Sequence, residues 1–166
     1  MRVLVLDGCR PTRRRTVALF AGEEWVTGVF EATTVDALRR AVATDRVDLA
    51  AMPMPAGSAS EHLDAVREVG RRSPDTVTVV LPGADDVGLA LAAVRAGARG
   101  YLLDTGVPEA VRAALRTIAA GGLVIGPGIG PRVLQVLSPA THATARSVHF
   151  GPSVAGSPPP RSCLAP

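Results

Sequence analysis

Two carboxylates of this sequence lie where they could take part in chemistry. Asp7 follows the first apolar run, and Asp104 follows the last apolar run of strand length before Pro108. A Mg²⁺ site usually combines one or two carboxylates with substrate phosphates. The two side chains could chelate a cation together, or one of them could pair with a nearby arginine, Arg10 or Arg13 or Arg14. We favour the ion pair, because the guanidinium group matches a carboxylate well.

The remaining apolar runs end on residues that carry neither a metal ligand nor a nucleophile. Gly8 follows Asp7, Pro53 follows the run at 47–52 and Pro82 follows the run at 77–81. Proline also lacks the backbone N–H that could bind an anion. We therefore predict a degenerate acidic pocket that has no catalytic residue and no metal site and is a candidate for ligand binding. Its residues are Asp7, Gly8, Pro53, Pro82 and Asp104.

Strand and helix patterns alternate over the first 122 residues. Apolar runs of strand length lie at 2–6, 26–32, 47–52, 77–81 and 99–103. Apolar residues at helical spacing lie at 12–22, 34–43, 60–72, 85–96 and 108–120. Five such units predict an α/β fold, a doubly wound five-stranded parallel sheet with helices on both faces. Right-handed crossovers favour the flavodoxin-like order 2-1-3-4-5, in which ligands bind at the carboxyl ends of the strands.

Composition narrows the class of protein. Hydrophobic residues make up 47% of the chain and aromatic residues only 3%, so the core must be aliphatic. The first 122 residues carry equal numbers of acids and arginines, and the net charge of +3 comes from Arg132, Arg146 and Arg161. A neutral domain gives little support to nucleic-acid binding. We find neither an apolar stretch of membrane-spanning length nor a signal peptide, and we expect a cytoplasmic protein without membrane contact.

The composition changes after Gly122. Residues 123–137 contain a short extended piece and two potential helical turns, which we interpret as a short linker with a helix. Residues 138–166 are rich in Pro, Ser and Ala, and such a segment buries too little apolar surface to offset its ordering entropy. We therefore predict a folded domain at 1–122, a linker at 123–137 and a disordered tail at 138–166.

One long motif carries a family resemblance. The segment Ala96-Gly-Ala-Arg-Gly-Tyr-Leu-Leu103, followed by Pro108-Glu109 and a helix ending at Gly122, is similar to the receiver domains of NarL/FixJ-type response regulators. The resemblance covers residues 1–137 and implies the CheY-like version of the predicted fold. It also implies a role in two-component, phosphorelay signal transduction and transcription regulation.

The site that this resemblance implies is incomplete. Receivers hold a divalent cation with two acids after the first strand and an aspartate after the third, which accepts the phosphoryl group. A hydroxyl residue after the fourth strand and a lysine after the fifth bind the phosphoryl oxygens. Asp7 matches the first acid, whereas Gly8 replaces the second, Pro82 replaces the hydroxyl residue and Asp104 replaces the lysine.

The acceptor position has two alignments. Counting forward from Asp48 places it at Pro53, and counting back from the Met54-Pro55 pair places it at Ala51. Neither residue is acidic, so we expect no phosphoacceptor. Asp48 itself precedes the third strand and should lie at the opposite edge of the sheet.

The DNA-binding module of such regulators is not apparent. Leu137-Ser138-Pro139 resembles its opening, but residues 141–166 lack the pattern of a recognition helix. We therefore do not expect direct DNA binding by this chain.

The sequence thus favours a receiver-like signalling module that works without phosphorylation. We expect a binding protein and not an enzyme, without a cofactor, acting through a protein partner, a homodimer or a small-molecule ligand. Two alternatives stay open. One is a small flavodoxin-like cofactor-binding protein or enzyme, and the other is a truncated remnant of a LuxR-type DNA-binding transcriptional regulator.

Overall fold

The structure, a computed structural model, describes residues 1–54, 59–103 and 107–138. Within these ranges the chain forms six strands: β1 (Arg2–Leu6), β2 (Gly28–Ala32), β3 (Leu49–Met54), β4 (Val77–Pro82), β5 (Gly100–Tyr101) and β6 (Val124–Ile125). The same ranges contain six helices: α1 (Arg10–Phe20), α2 (Val35–Thr44), α3 (Ala59–Arg72), α4 (Val87–Ala96), α5 (Pro108–Ala119) and α6 (Gly130–Leu137). Asp104 and residues 139–166 of the predicted tail lie outside the described residues.

The strands form one parallel sheet in the order β2-β1-β3-β4-β5-β6. The predicted doubly wound fold and the order 2-1-3-4-5 are confirmed. The sheet continues by one strand beyond the five predicted, because β6 pairs with β5 through Val124 opposite Gly100 and Ile125 opposite Tyr101. A strand of two residues is too short to show an alternating or continuous apolar pattern.

Alternate strand residues pack against helices on opposite faces. On one face Val3 and Val5 pack with residues of α1 and α5, including Leu115. On the other face Leu4 and Leu6 pack in a cluster supplied by α2, α3, α4 and α6. Strands that are buried on both faces need apolar residues at every position, which explains the continuous runs in the sequence.

Two of the helices have clear start and stop signals. The Thr34 hydroxyl accepts a hydrogen bond from the Ala37 N–H at the start of α2, and the Asp86 carboxylate does the same for the Leu89 N–H at the start of α4. Gly97 ends α4 in the left-handed conformation, with φ of 105°. That conformation disfavours side chains with a Cβ, so glycine is the suitable residue there.

The third strand runs further than predicted. It ends at Met54 and not at Met52, so Pro53 lies inside it. The pairing of β3 with β1 ends at Ala51, whereas its pairing with β4 continues to Met54. Pro53 thus lies beyond the part of the strand that is paired on both sides, where a missing N–H is tolerated.

None of the helices in the described part of the chain is both long enough and apolar enough to cross a membrane.

Candidate functional site

Asp7 and Pro53, two of the predicted pocket residues, lie side by side at the carboxyl ends of β1 and β3. Val5 lies opposite Ala51, and the next outward residues on the same face of the sheet are Asp7 and Pro53. Ala51 is fully buried one step deeper, beneath the helices on that face. The register therefore places Pro53, and not Ala51, beside Asp7.

The other pocket positions lie around this pair. Pro82 is the last residue of β4 and lies opposite Met54, one residue beyond Pro53 in the ladder. Gly8 is exposed, and a Cβ added to it would lie 3.4 Å from the Thr33 carbonyl oxygen, so the backbone leaves room for a side chain. The structure does not describe Asp104, and its part in the pocket stays a prediction.

Asp7 is buried, and one of its carboxyl oxygens is unpartnered. The residue is only 4% exposed. Its Oδ1 accepts a hydrogen bond of 2.8 Å from the Cys9 N–H at the start of α1. Its Oδ2 is buried and has no hydrogen-bond partner within the part of the chain that the structure describes. A buried acceptor left in this way costs roughly 1–3 kcal/mol, so the site departs from ordinary core packing.

Burial raises the pKa of the Asp7 carboxyl above its usual range. The Cys9 N–H and the positive charges of Arg13 and His62 act in the opposite direction and offset only part of the effect. The protein therefore favours the protonated form of Asp7 more than water does. A metal ligand must be deprotonated, so the raised pKa of this carboxyl works against metal binding.

Arg13 contacts Asp7, but not as the sequence suggested. Its Nη1 donates to the backbone carbonyl of Asp7 at 2.6 Å, and its Nε pairs with the Glu31 carboxylate of β2 at 2.6 Å. The guanidinium thus joins the end of β1 to β2, and its carboxylate partner is Glu31. The pair could not be predicted from the sequence, because Arg13 and Glu31 are 18 positions apart and come together through the parallel pairing of β1 with β2.

These residues do not fit a magnesium ion. Among the described residues, no three His, Cys, Asp or Glu side chains are grouped closely enough to hold a metal ion. Pro53 and Pro82 have neither a carboxylate nor a backbone N–H, and Gly8 has no side chain. The described residues at these strand ends therefore supply one buried acid whose Oδ2 is an unsatisfied hydrogen-bond acceptor.

Comparisons with solved structures identify the fold. The apo receiver domain of RcsB from Salmonella enterica serovar Typhimurium has a TM-score of 0.72 at 18% identity, covering 81% of this chain and 98% of that one. A LuxR-family two-component response regulator from Aurantimonas sp. has a TM-score of 0.71 at 21% identity, covering 82% and 96%. A structure of two RcsB dimers bound to two parallel DNAs has a TM-score of 0.71 at 17% identity, covering 82% and 68%.

No family model and no curated protein sequence matches the chain. The structural likeness confirms the resemblance seen at residues 96–103, and the chain has the fold of response-regulator receiver domains. At these identities the likeness establishes the fold alone.

Proposed function

We propose that this chain is a receiver-like signalling module of a two-component, transcription-regulatory pathway, and that it works without aspartyl phosphorylation. It would act by binding a protein partner or a small ligand and not as an enzyme. One observation carries the proposal: Pro53 lies beside the buried Asp7, at the level where the family has its phosphoacceptor. The Oδ2 of Asp7 has no hydrogen-bond partner among the described residues.

Phosphoryl transfer to a receiver needs an acceptor carboxylate and enough oxygen ligands for a divalent cation. Pro53 supplies no carboxylate, and Asp7 is a buried acid with a raised pKa. Pro82 offers no hydroxyl group for a phosphoryl oxygen. Each of these replacements removes a different part of the reaction, so that restoring one of them alone would not restore phosphorylation.

Asp48 is not a substitute acceptor. Its Oδ2 accepts a hydrogen bond of 2.6 Å from the Arg2 N–H, and its Oδ1 lies 3.6 Å from Arg46 Nε. Arg2 begins β1, so Asp48 is at the amino edge of the sheet, a strand length of roughly 17–20 Å from the pocket. Its contacts support a structural role that joins β1 to the start of β3.

The unpartnered Oδ2 of Asp7 supports a binding role in which a local rearrangement gives a donor access to this buried oxygen. A ligand or partner that donates an N–H or O–H to this oxygen would remove the cost of the buried unpartnered acceptor. The partner could be another regulatory protein or a second copy of this chain. We do not propose direct DNA binding, and we place the module in the cytoplasm.

The proposal is tested by adding beryllofluoride and Mg²⁺ to the ¹⁵N-labelled chain and recording amide spectra. We expect no saturable shifts at Asp7 or at Gly83, which follows Pro82. In parallel, the chain is incubated with acetyl phosphate and its intact mass is measured. An aspartyl phosphate on the unaltered chain would refute phosphorylation independence.

A matched gain-of-function variant shows that the assay can detect a working site. It combines Gly8→Asp, Pro53→Asp, Pro82→Thr and Asp104→Lys, which rebuilds the residue types of the family. The open space at Gly8 admits the new carboxylate. We expect beryllofluoride-dependent shifts in this variant and none in the natural chain.

A further inference from the structure

A second surface of the molecule has features of a binding site. A groove of ≈ 580 Å³ lies between α3 and α4 near the carboxyl ends of both helices, and Arg39 of α2 also lines it. Because these helix ends lead into the amino ends of β4 and β5, the groove lies at the edge of the sheet opposite to Asp7. It is therefore independent of the pocket that carries the proposed function, and the two proposals can fail separately.

The groove has an excess of positive charge. Four arginines and two acids line it. The acids are already engaged: Glu68 accepts from Arg39 at 2.6 Å, and Asp64 accepts from Arg67 at 2.6 Å. A further arginine outside the groove, Arg72, also pairs with Glu68 at 3.1 Å.

Arg71 on α3 and Arg95 on α4 are the two arginines that remain. Both are exposed, and neither has a hydrogen bond or an ion pair with any of the described residues. They belong to different helices, and both line the groove. An arginine in the last turn of a helix interacts favourably with the helix dipole, which accounts for each residue singly. The pair adds two unneutralised guanidinium groups that face the same groove.

Two glycines, Gly70 and Gly97, line the groove, and we call their backbone, which carries no side chain, its floor. A Cβ added to either would have no heavy atom within 4 Å beyond its own chain neighbours. The φ of 105° at Gly97 explains the glycine there. Gly70 lies inside α3, where glycine is less stable than alanine by roughly 0.5–1 kcal/mol, and no neighbouring atom requires it. Its effect is to keep the floor open to the close approach of another backbone.

We propose that this groove binds an acidic peptide segment of a partner protein. The segment's backbone would lie over Gly70 and Gly97, and its Asp or Glu side chains would pair with Arg71 and Arg95. Arginine suits this role, because its fork of donors binds a carboxylate through two parallel hydrogen bonds.

The same observations weigh against other anions. None of the described residues that line the groove is aromatic, whereas single-stranded nucleic-acid sites typically stack bases on aromatic residues. Helix N-termini are the favoured binding sites for compact phosphates, whereas both helices present their carboxyl ends here. An extended segment with several single charges matches the separated guanidinium groups better.

The test uses the full ¹⁵N-labelled chain and an acetylated hexaglutamate peptide as the probe. We expect saturable amide shifts centred on Gly70 and Gly97. The variant Arg71→Glu/Arg95→Glu should weaken binding by about tenfold or more, since it replaces two attractive contacts with repulsion. A charge-matched control, Arg40→Glu/Arg132→Glu, alters exposed arginines outside the groove and should leave the affinity within about twofold.

A third variant blocks the groove without changing its charge. Gly70→Leu places a side chain over the floor in space that is empty in the structure, so it should abolish peptide binding while the thermal unfolding of the chain stays cooperative. Equal weakening by the groove variant and the charge-matched control would refute the site, as would the absence of saturable shifts. Tighter binding of a single-stranded DNA hexamer than of the peptide at Gly70 and Gly97 would overturn the assignment to an acidic peptide.

Discussion

Burial in the folded protein disfavours the ionised form of the Asp7 carboxyl. Because its pKa is raised in the folded protein, the unfolded chain ionises first as the pH rises, and the free energy of unfolding falls between the two pKa values. The stabilising effect of the protonated acid is complete below the ordinary pKa of aspartate and is lost as the pH rises through the folded value. The natural chain therefore carries an electrostatic cost at neutral pH.

Asp7→Asn should remove this cost. The amide keeps an oxygen that can accept from the Cys9 N–H and is neutral at every pH. We expect the variant to be more stable than the natural chain by about 1 kcal/mol at pH 7, with the difference disappearing near pH 3. Urea unfolding at both pH values measures this change.

The control for this prediction is Asp75→Asn, which makes the same chemical change at an exposed position. It should give the same small difference at both pH values. If the Asp7→Asn variant were less stable than the natural chain at pH 7, burial would not be disfavouring the ionised carboxyl of Asp7.

The sequence predicts that Asp7, Pro53 and Pro82 lie close to the carboxyl ends of their strands, because each follows a continuous apolar run and a parallel sheet gathers such ends at one edge. The structure has Pro53 and Pro82 in the last two positions of β3 and β4 and Asp7 directly after β1, whereas their role as a binding site stays a prediction. The Arg13–Glu31 pair could not be predicted, since it depends on the register between β1 and β2. The lack of a hydrogen-bond partner for Asp7 Oδ2 could not be predicted either, because it depends on the three-dimensional positions of the neighbouring donors.

At the level of elements, two glycines that look alike in the sequence have opposite surroundings. Gly70 faces open space, whereas a Cβ at Gly100 would lie 2.6 Å from Ile118 Cδ1 and 2.9 Å from Val79 Cγ1, both in fully buried side chains. Gly70→Ala should therefore stabilise the protein by roughly 0.5–1 kcal/mol through helix propensity. Gly100→Ala should destabilise it by roughly 1–3 kcal/mol through overpacking.

Thermal and urea unfolding of the two alanine variants checks this pair, and each variant serves as the control for the other. A stabilising effect at Gly100 would mean that α5 can move away from β5 at little cost. A loss of stability at Gly70 would mean that this glycine has a structural role in α3, and it would remove one support of the proposed peptide groove.

The long strands and helices could be predicted from the pattern of apolar residues, whereas the two-residue strand β6 could not. Strands buried on both faces gave unbroken apolar runs, and α2, α3 and α5 gave clear apolar stripes. The sheet contact of β6 includes hydrogen bonds from the Val124 N–H to the Arg99 carbonyl at 3.0 Å and from the Gly126 N–H to the Tyr101 carbonyl at 2.8 Å. Such a contact leaves no periodic signal in the sequence.

For the molecule as a whole, the extent of the folded unit is the main structural question that the sequence left open. The predicted domain boundary at Gly122 precedes β6 and α6. In the structure Ile129 and Val133 are fully buried in the hydrophobic cluster that also contains residues of α4, and β6 pairs with β5. This packing predicts that the folded unit extends to about Leu137.

Two truncated chains test this prediction. A chain ending at Gly122 exposes the surface that Ile129 and Val133 cover and loses the burial of both side chains, which amounts to roughly 3–6 kcal/mol as an upper estimate. A chain ending at Ser138 keeps these contacts. We expect urea unfolding to show a large loss of stability for the first chain and little change for the second. Equal stability of both truncated chains would restore the boundary at Gly122 and would make β6 and α6 a dispensable addition to a five-stranded sheet.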